Sequence, residues 1–417
     1  MIRRIVGLDI GACFIRTVIA EIDSDENIEI IGFSKVPSQG VRNGVIVNID
    51  LAAAAVRESI EAAEQAAGID VEDVYISIGG PQVDSLSSRG LVCCDPRGTS
   101  RRVEITADAK RRALESAQSI SIPFSETLIH IVPQEYIVDG IEIPDHTKLI
   151  GTGGVRLEVK ALLVKVSSTA YGNLKECIMR AGYVHRAVTL KTLAAAYSTI
   201  HGDEMDLGSV LIDLGGGATD VIVFHKGAPV YTTSIPAGGN RITNDIATVL
   251  GIPFAAAEKL KIDQGACWLD EDQEKEEVIV PGVGGLPPAQ IERKFLCEII
   301  YARMEEIMTS CAREVARHSG LERLDGTIVL TGGGALMSGV DVLTQEVWKT
   351  TSVRIGCCAN FGGVDDSYRN ADYATAVGLV LANKNDNLQD SNTKRMAKKY
   401  KGEAKPSALK NFIKKFI

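Results

Sequence analysis

Val6-Gly-Leu-Asp9-Ile-Gly11-Ala-Cys-Phe-Ile-Arg16-Thr-Val-Ile19 returns 204 residues later as Val210-Leu-Ile-Asp213-Leu-Gly215-Gly-Gly-Ala-Thr-Asp220-Val-Ile-Val223. Each copy reads as an apolar strand ending in Asp-x-Gly, a tight turn and a second apolar strand. Glycine at such a tip removes the Cβ that would hold a phosphate away, and it lets consecutive N–H groups point at one anion. An aspartate at the strand end suits the water shell of Mg²⁺, an ion that keeps several waters when bound. One glycine hairpin carries little information, because such turns are common. Two copies, joined by a third strand-glycine-helix element at Leu330-Thr-Gly332-Gly333-Gly334, point to a nucleotide held between the halves of a duplicated α/β fold.

Outward from the first hairpin, residues 2–10, 15–22 and 28–36 read as Ile- and Val-rich strands, 51–67 as an alanine-rich helix, and 74–78 as a strand stopped by Gly79-Gly80-Pro81. Between 81 and 162 the pattern changes to short strands, one charged helix at 106–119 and a polar connection at 144–154, as in an inserted module. From 163 the α/β pattern resumes with a strand and helices at 169–181 and 187–201. The second hairpin is followed by helices at 240–250 and 253–263, an irregular stretch at 281–288 and a long amphipathic helix at 289–319. A buried strand at 327–330 then enters the third glycine loop, and a helix begins near Ser338.

The 417 residues carry 45 Lys and Arg against 54 Asp and Glu, a formal charge of −9, with 45% hydrophobic and 24% charged residues. This excludes disordered, collagen-like and polytopic membrane classes and predicts roughly two to three domains. The acidic balance argues against nucleic acid as a partner. The charge is uneven, however: residues 394–417 hold nine basic side chains and one acid, +8, which leaves −17 for the rest. Nine cysteines with vicinal pairs at Cys93-Cys94 and Cys357-Cys358 and no CxxC read as reduced thiols in a cytosolic protein. Asp9 interrupts any signal-peptide core, and no run approaches the ~20 apolar residues of a membrane span.

Residues 383–405 are too polar to fold and read as a linker of roughly 25 Å reach. Beyond Pro406, Leu409, Phe412, Ile413, Phe416 and Ile417 share one helical stripe with Lys410, Asn411, Lys414 and Lys415 opposite, and Ser407 is placed to cap the helix. Such a segment either docks on its own domain or lies on an anionic membrane; the polar linker and the two terminal Phe favour the membrane.

These motifs resemble the five elements of the actin, sugar kinase and heat-shock chaperone ATPase superfamily: the two hairpin loops, the Leu330 to Ala335 loop, and the Ala-rich segments at 192–197 and 374–381. Within it the chain is similar to the FtsA family of bacterial division proteins through His130-Ile-Val-Pro-Gln-Glu-Tyr136, Pro236-Ala-Gly-Gly-Asn240, Val353-Arg-Ile-Gly356 and Tyr373-Ala-Thr-Ala-Val-Gly-Leu379. The resemblance implies an actin-like, ribonuclease H-like, two-domain ATPase fold. Its parts would be a first half at 1–80, a family-specific α/β insert at 81–162 and a second half at 163–243 and 312–382. A small subdomain would occupy 244–311, ahead of the linker and the amphipathic helix at 406–417. It places ATP in the cleft, with Asp9 and Asp213 ordering Mg²⁺ waters. Gly11, Ala12, Cys13, Gly215, Gly216 and Gly217 would cradle the phosphates, and Gly332, Gly333 and Gly334 would face the α-phosphate and adenosine. Gly238, Gly239 and Asn240 would lie near the ribose, with Glu258 and Lys261 reaching the adenosine. Arg16 is either a phosphate ligand or a surface strand residue.

Ala12 and Cys13 replace the family's usual hydroxyl residues, so ATP binding is expected with slow or no hydrolysis. The implied role is a filament-forming adaptor on the cytoplasmic face of the inner membrane at the division site. It would bind the FtsZ C-terminal tail near Arg293, Lys294 and Arg303, and later division proteins through the insert. The three cations alternatively form a solvated helix face. A small-molecule kinase of the same superfamily is the alternative function, with Asp220 as its candidate carboxylate.

Overall fold

Both copies of the repeated motif fold as antiparallel hairpins, Arg3–Ile10 with Phe14–Ile22 and Ser209–Leu214 with Thr219–His225. Asp9 lies opposite Arg16 in the first ladder and Asp213 opposite Asp220 in the second, so the offset holds residue by residue. The strands are apolar on both faces because both faces are covered. This computed structural model describes residues 2–98, 101–282, 284–285, 287–320, 326–363 and 366–385. The linker from 386 and the amphipathic helix at 406–417 lie outside the described residues.

Each hairpin extends into a five-stranded sheet of the same topology. The first runs Val184–Leu190, Asp73–Ile78, Arg3–Ile10, Phe14–Ile22, Ile28–Pro37; the second, read from its matching edge, runs Val353–Ile355, Thr327–Thr331, Ser209–Leu214, Thr219–His225, Ala228–Ile235. In each, two parallel pairings join the hairpin from one side and an antiparallel strand completes it on the other. Two helices, Lys191–Thr199 and Ala374–Ala382, lie between the sheets. Their small residues share one core with Ile5, Val18 and Tyr75 of the first sheet and Leu211, Ile222 and Phe224 of the second. The crossing is close enough that a Cβ on Gly378 would overlap the Ala194 carbonyl oxygen.

Helices Ile49–Ala67 and Ser168–Ala181 cover the outer face of the first sheet through Val56, Ile60, Cys177 and Ile178. Gly239–Leu250, Arg293–His318 and Val340–Trp348 cover that of the second through Ile242, Ile300, Met308 and Leu343. The insert is a separate sheet ordered Ile141–Glu142, Glu126–Val138, Arg156–Ser167, Val83–Cys93. Helix Ala107–Gln118 lies on it, with a core of Ala109, Ala113, Ala117, Tyr136, Leu157 and Val159. All nine cysteines are free thiols, and no helix among the described residues is long and apolar enough to cross a membrane.

Three expectations are corrected. Residues 187–190 complete the strand Val184–Leu190 rather than open a helix, because Val188, Thr189 and Leu190 pair with Ile76, Ser77 and Ile78. Residues 289–292 are not the first turn of the long helix. They form a strand against Glu277–Val280, and the helix starts at Arg293. The third is the assignment of the stretch after the insert to the second half. The strand Arg156–Ser167 keeps to the insert's sheet, and Val184–Leu190 is hydrogen-bonded into the first sheet, so the first half includes this later segment.

Candidate functional site

The two hairpin tips close by the same bond. Gly11 N–H donates to Phe14 O at 3.0 Å and Gly215 N–H to Ala218 O at 3.0 Å. A Cβ at either glycine would meet that same carbonyl oxygen at 2.7 Å, which is why both positions are glycine. The second loop is fixed further by the start of helix Gly239–Leu250, where Gly239 N–H donates to Gly215 O at 3.0 Å and Asn240 N–H to Gly216 O at 2.8 Å. The loops face each other: the Cys13 thiol donates to Asn240 Oδ1 at 3.2 Å, and a Cβ on Gly217 would stand 3.0 Å from that of Ala12. Burial and the nearby Glu258 carboxylate push the Cys13 thiol up in pKa, so it is a neutral donor.

Between the loops runs a cleft of about 520 Å³, within the usual size of a small-molecule site. All seventeen residues expected to hold nucleotide or metal, from Asp9 to Gly334, line it. Its floor is acidic. Asp9, 3% exposed, accepts from Ser77 Oγ at 2.7 Å; Asp213, 2% exposed, leaves Oδ1 without a hydrogen-bond partner among the described residues. Asp220, the candidate carboxylate of the kinase alternative, also faces the cleft and accepts from Gly80 N–H at 2.9 Å. Burial raises its pKa, with Lys191 acting against that shift.

Lys191 is a cleft side chain that the sequence did not disclose. Its ammonium lies 3.2 Å from Asp213 Oδ2. Burial opposes its charge, but Asp213, Asp9 and Asp220 together hold its pKa above the ordinary lysine value. The one available signal was a lysine opening an otherwise apolar Ala-rich segment.

On the far side, Gly332 takes φ +81°, and a Cβ there would overlap Asp213 Oδ1, so the third loop requires glycine on both grounds. Lys261 is 8% exposed and bonds Glu258 Oε2 at 2.6 Å and Thr243 Oγ1 at 2.8 Å, which places both helix-face residues beside Gly239. The surface alternative for Arg16 is corrected. The side chain is buried, its Nη2 lies 2.8 Å from Asp372 Oδ2, and Lys35 reaches the same oxygen at 2.9 Å. Burial opposes the Asp372 charge, yet these two cations hold its carboxyl below the usual range.

Arg293 pairs with Glu276 at 2.6 Å and Lys294 with Glu274 at 2.8 Å, side by side at the start of their helix. Arg303 is nine residues on, half a turn out of phase with Lys294, and pairs with Asp245 at 2.6 Å. The three cations therefore do not form one patch. Leu409, Phe412, Ile413, Lys414, Lys415, Phe416 and Ile417 lie outside the described residues.

Paired sheets of one topology, helices crossing between them and a glycine-lined cleft define an actin-like protein. Solved structures agree on the fold: a type IV pilus biogenesis complex of PilM and PilN matches with TM-score 0.64 at 15% identity, over 91% of this chain and 98% of that one. MreB5 of Spiroplasma citri bound to ADP matches with TM-score 0.51 at 13% identity, over 94% and 98%. The family model for cell division protein FtsA matches residues 210–378, and that for the SHS2 domain inserted in FtsA matches 80–165. The chain is 37% identical to the cell division protein FtsA of Borreliella burgdorferi over 97% of its own length and 96% of the relative. For the Bacillus subtilis protein the figures are 35%, 90% and 82%. The chain belongs to the FtsA family of actin-like cell division proteins.

Proposed function

We propose that this chain binds ATP in the cleft, polymerises on the cytoplasmic face of the inner membrane at the division site, and tethers FtsZ there. The observation that carries the nucleotide reading is the pair of glycine turns, closed by one and the same bond and facing each other across the cleft. The loops Gly11 to Cys13 and Gly215 to Gly217 would cradle the β- and γ-phosphates through the N–H groups of Ala12, Cys13, Gly216 and Gly217, since those of Gly11 and Gly215 close the turns. Gly332 to Gly334 would take the α-phosphate and adenosine, Gly238 to Asn240 the ribose, and Glu258 with Lys261 the adenosine edge. The residues fit a hydrated divalent cation: Asp9 and Asp213 both reach the cleft, and the unpartnered Asp213 Oδ1 is the acceptor a metal-bound water needs. Bound Mg²⁺ supplies neutralisation of phosphate charge.

The first loop offers no hydroxyl, and the Cys13 thiol is spent on Asn240, so no side chain of that loop is free to position an attacking water. Slow or absent hydrolysis follows. ATP should bind in titration calorimetry, while steady phosphate release stays below about 1 s⁻¹, the low end for working enzymes. Faster turnover overturns the scaffold reading. Asp220 as a kinase base gains no support, since its carboxylate is held by Gly80 N–H and faces Lys191.

The FtsZ tail is assigned to the small subdomain at 244–311, where Arg293 and Lys294 exchange exposed intramolecular pairs, worth up to about 1 kcal/mol each, for an acidic peptide. Anchoring falls to residues 406–417, later division proteins to the insert, and filament contacts to the actin-like body.

A further inference from the structure

We infer that Lys191 is a built-in counter-cation for the terminal phosphate of a bound nucleoside triphosphate, so that this chain keeps triphosphate affinity when divalent cation is withdrawn. The inference rests on the nucleotide reading above and deepens it. Lys191 begins the helix Lys191–Thr199, at the end of a strand of the first sheet, yet its ammonium reaches the second: Nζ lies 3.2 Å from Asp213 Oδ2. The path is built for it. A Cβ on Gly79 would meet Lys191 Cβ at 2.9 Å and Cδ at 3.1 Å, with Asp220 Oδ2 at 3.0 Å, so the missing side chain at Gly79 admits the lysine stem.

The ammonium stands beside the second phosphate loop, 3.8 Å from the point a Cβ on Gly215 would occupy. Among the described residues its ion pair is to Asp213 alone, which leaves donors of its three for a ligand. Two further features call for a cation here. Asp9, Asp213 and Asp220 bring three carboxylates to the same cleft, a field that repels a polyanion unless it is offset. The first loop, with Ala12 and a thiol committed to Asn240, supplies no side-chain donor of its own. Lys191 answers both from within the chain. ADP, one phosphate shorter, would lack this contact.

The test measures ATP and ADP affinity of the full chain in Mg²⁺ and in EDTA, for the native protein, Lys191→Gln and Lys191→Arg. In EDTA, Lys191→Gln should weaken ATP by about 10- to 100-fold, the worth of one charge-assisted hydrogen bond. ADP should change little, and Lys191→Arg should restore most of the loss. If Lys191→Gln does not fold, Lys191→Gln with Asp220→Asn keeps the charge balance and takes its place. Unchanged ATP affinity of the variant in EDTA overturns the inference, as does an equal loss of ATP and ADP, which marks a structural role. Loss of all ATP binding by the native protein in EDTA alone also overturns it. A native protein that binds neither nucleotide even with Mg²⁺ overturns the nucleotide reading itself.

Discussion

At the scale of single residues, position in the hydrogen-bond network decides the role more than chemical type. His130 shows this outside the cleft. Its Nε2 accepts the Leu190 N–H at 2.9 Å, tying the insert to the first sheet, and burial lowers its pKa to about 4 from an ordinary 6.5. The bond needs a neutral ring. The unfolded chain binds the extra proton first as pH falls, so this contribution is complete above pH 6.5 and is lost progressively toward pH 4, by up to about 3 kcal/mol. Urea unfolding of native protein and His130→Gln at pH 7.5 and 5 should show a smaller pH effect in the variant; parallel profiles would contradict it. Asp9, Asp213 and the glycines were legible from the chain because each loop carries its own signal: a strand, an aspartate, a turn. Lys191 and Ser77 were not, since each gains meaning from an aspartate many residues away.

At the scale of elements, the same division holds. Both hairpins and the helix Ala107–Gln118, capped by Thr106, are recognisable locally because turn or cap residues bound them. Val184–Leu190 and Ala289–Glu292 are strands only because Asp73–Ile78 and Glu277–Val280 lie beside them, and alanine-rich or amphipathic neighbours masked them. The crossing of Lys191–Thr199 and Ala374–Ala382 gives a prediction at this scale. In an isolated helix Gly378→Ala gains about 1 kcal/mol from propensity. Here the new methyl overlaps the Ala194 carbonyl oxygen, and overpacking of this kind costs about 1–3 kcal/mol. The clash should win because the neighbour is backbone and cannot rotate away. Urea denaturation should place Gly378→Ala below the native protein; a variant of equal or greater stability would show the crossing has room.

At the scale of the whole molecule, an overall charge of −9 joins a −17 body to a +8 terminal segment, and the two have separate tasks in the proposed function. The duplicated architecture was readable because the motif recurs at an offset of 204 residues and both halves bury it; the place of Val184–Leu190 in the first sheet was not, because that sheet recruits the strand from beyond the insert. Phe412→Glu should release the protein from anionic vesicles in co-sedimentation and leave its melting unchanged, since in the proposed function residue 412 serves the membrane alone; unchanged sedimentation would contradict membrane anchoring through this segment. ATP-dependent assembly is the most direct measurement of all. The full chain is applied to anionic lipid monolayers with Mg²⁺ and either ATP or no nucleotide, with and without an FtsZ tail peptide, and imaged by electron microscopy. Filaments on the lipid in ATP, with the peptide retained on them, are the expected result; bare monolayers in ATP would contradict it.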